Sequence, residues 1–173
     1  MTAIARIRTA LFDPMDQSDW VLPTLARVTF LAVFFFYFLN SAGTKIEGSL
    51  FSPSAGAFGQ IFPKAAEAVL WDVTQLTGFQ RLVIFLGTLA EYVLPVLIVI
   101  GLFTRLAALA MIGFVIVQTA VDVTGHGVAL GTWFNNVPEL IDQRSLWVFL
   151  LAVLVIKGAG PLSVDRFLAT RQA

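Results

Sequence analysis

The strongest pattern along the chain lies in residues 82–123. Two largely apolar runs, LVIFLGTLAEYVLPVLIVI and LAALAMIGFVIVQTAVDV, flank a break at GLFTR. Each run is close to the ~20 residues an α-helix needs to cross a hydrocarbon core ~30 Å thick. Gly101 allows the chain to turn, and Thr104 and Arg105 put polar groups at the turn. The spacing therefore predicts a helical hairpin with crossings at 82–100 and 105–123. One residue interrupts the first run, Glu91, and an unpaired carboxylate at that depth costs several kcal/mol. Four residues later Pro95 removes a backbone donor, freeing a carbonyl at the same level.

The same pattern predicts two more crossings. Residues 21–40 contain FLAVFFFYFL, with Pro23 in the first turn, where a missing N–H costs least, and Arg27 about one turn further in. Residues 144–158 contain WVFLLAVLVIKG, a short run that either borrows Leu140 and Ile141 or tilts little, closed by Gly158, Gly160 and Pro161. The connection 41–80 is at first rich in Gly, Ser and Pro. From Pro63 it changes to PKAAEAVLWDVTQLTG, in which Ala66, Val69, Val73 and Leu76 share a helical face and Gly78 ends the run. This predicts an amphipathic helix lying along the membrane surface. A second connection, 124–143, carries His126, Trp133, Asn135, Asn136, Glu139 and Asp142, and SVDRFLATRQA is expected to be a polar tail. Ile4, Ile7 and Leu11 share a face in 1–19, which reads as a short surface helix; without an apolar core before Pro14 it does not read as a signal peptide. No internal repeat or low-complexity segment is visible.

The expected fold class is thus all-α: a polytopic, four-transmembrane-helix bundle with an added amphipathic helix in the first outer connection, all in one membrane domain. Composition agrees, at 58% hydrophobic and 13% charged, against about 25% charged for ordinary globular chains. Eleven basic residues balance eleven acidic ones with no basic stripe, which excludes a nucleic-acid partner and leaves the lipid bilayer as the main one. Without cysteine the chain can hold no thiol relay, iron–sulfur cluster or Cys zinc site of its own. With four crossings both termini share a side, and that side carries seven of the eleven Lys and Arg residues. The positive-inside rule places it in the cytoplasm.

Candidate chemistry starts at Glu91. From the rise of ~1.5 Å per residue, Arg27 and Glu91 lie ~6 Å apart in depth, so they could pair; Arg105 is the rival partner. Such a pair could fix helix registry, or Glu91 could accept a proton or hold a small molecule between helices; both readings stay open. Tyr92, Gln118 and Tyr37 add polar groups at membrane depth, although Tyr92 points about 100° away from Glu91. Asp122 and His126 are spaced i, i+4 and would share a face if the helix ran through Gly125, forming a proton relay or half a metal site. With a single histidine in the chain, no metal site is expected, and the solvated-loop reading of His126 is preferred.

Three stretches, LARVTFLAVFFFYFLNSAGTK, LAEYVLPVLIVIGLFTRLAALAM and VIKGAGPLSVDRFL, together resemble the DoxX-like family of small bacterial membrane proteins. The family pattern has an arginine early in the first helix and a glycine–lysine pair at its end. It also has a glutamate before a GL-x-TR turn and a closing G-x-G-x-x-S-x-D. Here these fall on Arg27, on Gly43 and Lys45 (separated by Thr44), on Glu91, on Gly101 with Thr104 and Arg105, and on Gly158, Gly160, Ser163 and Asp165. The resemblance spans most of 25–168. It implies a four-helix bundle in the bacterial inner membrane and an association with redox physiology, since some relatives are membrane subunits of thiosulfate:quinone oxidoreductase.

The first functional expectation is therefore a membrane component of a redox system that binds a quinone, or another lipid-soluble molecule, between helices. Arg27, Glu91 and Arg105 would supply its polar contacts, with Tyr92, Gln118, Asp122 and His126 as secondary candidates. The chain would be at most a subunit of a quinone-linked oxidoreductase, and it has no intrinsic cofactor. The alternative is a non-catalytic scaffold that holds a partner protein or redox subunit through its outer loops. A small-solute transporter is weaker, because four helices are few for alternating access unless the chain forms a homo-oligomer.

Overall fold

A computed structural model describes Asp13 and residues 18–171. The expected surface helix in 1–19 lies almost wholly outside the described residues. The first long helix, α1 (Val21–Thr44), contains one π-helical segment, Leu31–Phe35, where an extra residue is accommodated without ending the helix. It carries a row of buried aromatic residues, Phe30, Phe34 and Phe38, and Trp147 packs edge-on to Phe34 with ring centroids 5.0 Å apart. This row and Met111, Val115, Leu151 and Leu154 form the main core.

After α1 the chain makes a short antiparallel hairpin, β1 (Ile46–Glu47) and β2 (Ser49–Pro53), which turns at Gly48 with φ +79°. Two brief helices follow, α2 (Ala55–Ile61) and α3 (Pro63–Ala68), then a 3-10 turn at Val73–Gln75. The predicted amphipathic helix from Pro63 therefore stops after six residues. Leu70 and Trp71 adopt left-handed conformations (φ 52° and 64°), and the Trp71 ring lies against Gly59, where any Cβ would enter the ring. Asp72 then starts a new turn, accepting from the Thr74 backbone N–H at 2.9 Å and from its hydroxyl at 2.7 Å. These two bonds hold the exposed Asp72 carboxyl below its ordinary pKa. Ala57, Phe58, Ala66, Leu76 and Ile84 make a second, smaller core, so the connection is a folded cap seated on the bundle.

Helix α4 (Gly78–Ile100) begins four residues before the predicted crossing. Gly78 is its first residue and not a stop, because Thr77 and Gln80 form a capping box: the Thr77 hydroxyl accepts from the Gln80 N–H, and the Gln80 side chain accepts from the Thr77 N–H. The helix continues through Pro95 to Gly101 (φ +74°), which closes it in the left-handed conformation. Helix α5 (Thr104–Thr124) packs antiparallel to it, and α6 (Leu140–Lys157) packs against α5 and α1. Helix α6 also starts early, at a box between Glu139 and Asp142. The expected polar tail contains a further helix, α7 (Val164–Thr170), capped by the Ser163 hydroxyl.

Among the described residues three helices, α1, α4 and α5, are long and apolar enough to cross a membrane; α6 carries Asp142, Arg144 and Lys157 within its eighteen residues.

Candidate functional site

Side chains on an α-helix lean toward its N-terminus. Arg27, near the start of α1, therefore leans toward the Val21 end of the bundle. Glu91, on the antiparallel α4, leans toward the opposite, Thr44 end. The two diverge, and the expected Arg27–Glu91 pair is not formed; nor does Arg105 reach Glu91. The cation that does converge on Glu91 is Lys45, one residue past α1, which leans back toward the middle of the bundle.

Lys45 Nζ donates to Glu91 Oε2 at 2.7 Å. It also donates to Ser41 Oγ at 2.7 Å and to the Ser41 carbonyl at 3.3 Å, which occupies all three of its protons. The Ser41 hydroxyl in turn donates to Glu91 Oε1 at 3.0 Å. Lys45 is 4% exposed and Glu91 2%, so the charges are out of contact with solvent and cancel within a closed ring. Thr88, one turn away, spends its hydroxyl on the Ile84 carbonyl. Tyr92 lies elsewhere, with its hydroxyl beside Gly43. The Lys45 backbone also starts the cap: its carbonyl accepts from the Ser54 N–H at 3.0 Å. The ion pair thus ties the root of the cap to the middle of α4.

Arg27 forms a second node at the Val21 end. Its guanidinium donates to the carbonyls of Ile98 (3.1 Å), Val99, Ala159 (3.0 Å) and Leu162. The first two belong to the last turn of α4, whose carbonyls have no donor within the helix and carry its negative dipole end. Asp165 completes the node by accepting from the Phe103 and Thr104 N–H groups at 2.7 and 3.0 Å, at the start of α5. Its own N–H donates to the Gly101 carbonyl at 2.8 Å. A Cβ on Gly101 would fall 2.5 Å from that of Ser163 and 3.0 Å from Arg27 Cζ. Arg105 donates to the Val155 carbonyl at 3.2 Å and lies over Gly158. Most of the motif residues that carry the family resemblance thus gather here, and they cap helix ends.

The secondary candidates separate too. Gln118 donates to the Tyr37 hydroxyl at 3.1 Å. Helix α5 ends at Thr124, so Asp122 and His126 do not share a face. Asp122 pairs with Arg144 at 2.8 Å, and the exposed His126 ring contacts the Gln60 carbonyl at 2.8 Å. Sequence reasoning missed two residues, Lys45 as the partner of Glu91 and Arg144 as the partner of Asp122. A lysine one turn past Ser41, at the end of an antiparallel helix, was the available signal for the first; for the second the acidic pair Glu139 and Asp142 marked an earlier helix start, which places Arg144 inside α6.

Fold and nodes define a helical membrane protein whose buried charges are paired or bound to backbone. Comparison with protein-family models, with curated proteins and with solved structures finds no match to the chain.

Proposed function

We propose that the chain is a DoxX-like, four-helix protein of the bacterial inner membrane, and that it serves a redox system as a non-catalytic scaffold. In this reading α6 is the fourth crossing, its charges placed near the two ends. The termini face the cytoplasm, in keeping with the lysine and arginine distribution. The cap formed by 45–77 then faces outward and presents the docking surface for a partner protein.

The observation that supports the scaffold reading over ligand chemistry at Glu91 is the closed Lys45–Ser41–Glu91 ring, which engages both carboxylate oxygens in a buried site. The cap meanwhile exposes Phe51, and the neighbouring connection exposes Trp133, Phe134 and Val137. His126 bridges the two connections through Gln60. Exposed aromatic side chains on a rigid support are the usual anchors of a protein interface.

The test is complementation of a deletion strain, reading quinone-linked redox activity of the membranes at matched protein level. The charge-free pair Lys45→Gln with Glu91→Gln should restore activity, because it keeps hydrogen bonding and removes only the ionisable chemistry. The surface pair Phe51→Ser with Phe134→Ser should fail to restore it. The opposite pattern would transfer the function to Glu91 and favour the quinone reading.

A further inference from the structure

A second site lies apart from both nodes. A pocket of about 510 Å³ lies between the Thr124 end of α5 and the first turns of α6. Ile116, Val148 and Phe149 wall it, and Leu130 and Trp133 of the intervening connection close one side. That connection is pinned in place: the Ile141 N–H donates to the Leu130 carbonyl at 2.9 Å, and Trp133 Nε1 donates to Ser145 Oγ at 2.9 Å. Nearly all of the wall is hydrocarbon. Thr119 is on it, with its hydroxyl spent on the Val115 carbonyl at 2.7 Å.

Arg144 is the exception. It is 9% exposed and lines the pocket, with its guanidinium 4.3 Å from the centre of the Trp147 ring. Nη2 donates to Asp122, but Nε and Nη1 are both buried with no acceptor among the described residues. Buried donors are rarely left in that state, and an ionisable side chain at membrane depth with spare donors marks a place where something binds. A small turn of the guanidinium on its aromatic seat would present an N–H to the pocket.

Charge selects the occupant. Asp122 already cancels the Arg144 charge, so a second carboxylate would bury a net negative charge in apolar surroundings. A neutral carbonyl oxygen brings lone pairs and no charge, and the apolar walls suit an alkyl chain. We infer that this pocket binds a neutral, long-chain amphiphile whose polar end is a carbonyl oxygen, held by Arg144. The pocket shares Trp133 with the docking surface proposed above, but the inference does not rest on that surface.

The probes are methyl 9,10-dibromostearate (ester), 9,10-dibromostearate (acid) and 9,10-dibromooctadecane (hydrocarbon), added to the purified protein in dodecyl maltoside. Their bromines quench tryptophan at short range, and subtracting the Trp133→Phe variant isolates Trp133 at the pocket wall. The ester should quench saturably and bind about tenfold tighter than the hydrocarbon or the acid, the equivalent of one net hydrogen bond. Ile116→Phe, which fills the pocket away from the ion pair, should abolish the saturable component. Arg144→Lys, which keeps a cation for Asp122, should bring the ester down to the hydrocarbon's affinity. Equal binding of all three probes, tighter binding of the acid, or no saturable quenching in the unaltered protein would each overturn the inference. Because that comparison uses the unaltered chain, it decides even if a variant fails to fold.

Discussion

Removing one member of the Lys45–Glu91 pair should be far more damaging than removing both. With Lys45→Met, the Glu91 carboxylate keeps only the Ser41 hydroxyl as a donor, inside a site where the two side chains are 5% and 3% exposed. Loss of one partner from a buried ion pair costs about 3–5 kcal/mol, because the other charge is stranded. A ceiling follows from letting the stranded group go neutral. Protonating a carboxylate of ordinary pKa ~4.3 at pH 7 costs about 3.7 kcal/mol, so Lys45→Met should lose no more than this from lost charge compensation. Deprotonating an ammonium of ordinary pKa ~10.4 at pH 7 costs about 4.6 kcal/mol, the matching ceiling for Glu91→Leu. In that variant Lys45 retains both Ser41 oxygens as acceptors, which should hold its loss well below the ceiling. An interhelical hydrogen bond alone averages only ~0.6 kcal/mol in a membrane protein, so the ionic contribution is separable.

The double variant, Lys45→Met with Glu91→Leu, strands nothing and should fall within about 1 kcal/mol of the unaltered protein. The assay is reversible unfolding in mixed micelles of dodecyl maltoside and SDS, followed by far-UV circular dichroism, with all four proteins forming one double-mutant cycle. Lys45→Met should be the more damaging single change, at about 2–4 kcal/mol. If it instead lies within ~0.5 kcal/mol of the parent, or if the double variant loses the sum of the singles, the two groups are not coupled and the closed ring is the wrong description.

Two predictions concern the node at the Val21 end. Arg27→Lys should cost at least about 2 kcal/mol, because an ammonium cannot satisfy four carbonyls spread over α4 and the segment after α6; thermal unfolding by intrinsic fluorescence measures it, and an unchanged midpoint would remove Arg27 from the node. Asp165→Ala should cost about 1 kcal/mol through loss of the cap on Phe103 and Thr104, and faster amide exchange at those two positions is the local signature, absent if the cap is idle.

Helices with long apolar runs were legible because burial in a bilayer imposes length and composition directly. Their ends were less so, although the signals were present: Thr77 with Gln80, and Glu139 with Asp142, are capping pairs that move the starts of α4 and α6 outward by four residues each from 82 and 144. The helix predicted from Pro63 failed for a tertiary reason. Its apolar face at Ala66, Val69, Val73 and Leu76 is real, and Ala66 and Leu76 are buried, but Trp71 fits over Gly59 only if the backbone turns left-handed at Leu70 and Trp71. No helical periodicity encodes that contact.

Arg27 and Glu91 stay apart because reach without direction does not decide which side chains meet. Two long side chains at similar depth on antiparallel helices do not meet if each leans toward its own N-terminus. The same rule makes Glu91 meet a cation from beyond the far end of α1, which is where Lys45 sits. It also divides the chain's polar chemistry by position. Arg27, Arg105 and Asp165 lean onto helix ends and loops, where backbone groups without helical partners absorb them. Lys45 and Glu91 absorb each other. Arg144 is different: Asp122 satisfies its charge and leaves two of its donors over. Spare donors on a charge that is already balanced are met at lower cost by a neutral acceptor than by a second ion, which would bury a net charge. That difference is why the inferred ligand is assigned to the pocket beside Arg144 and not to the carboxylate in the middle of α4.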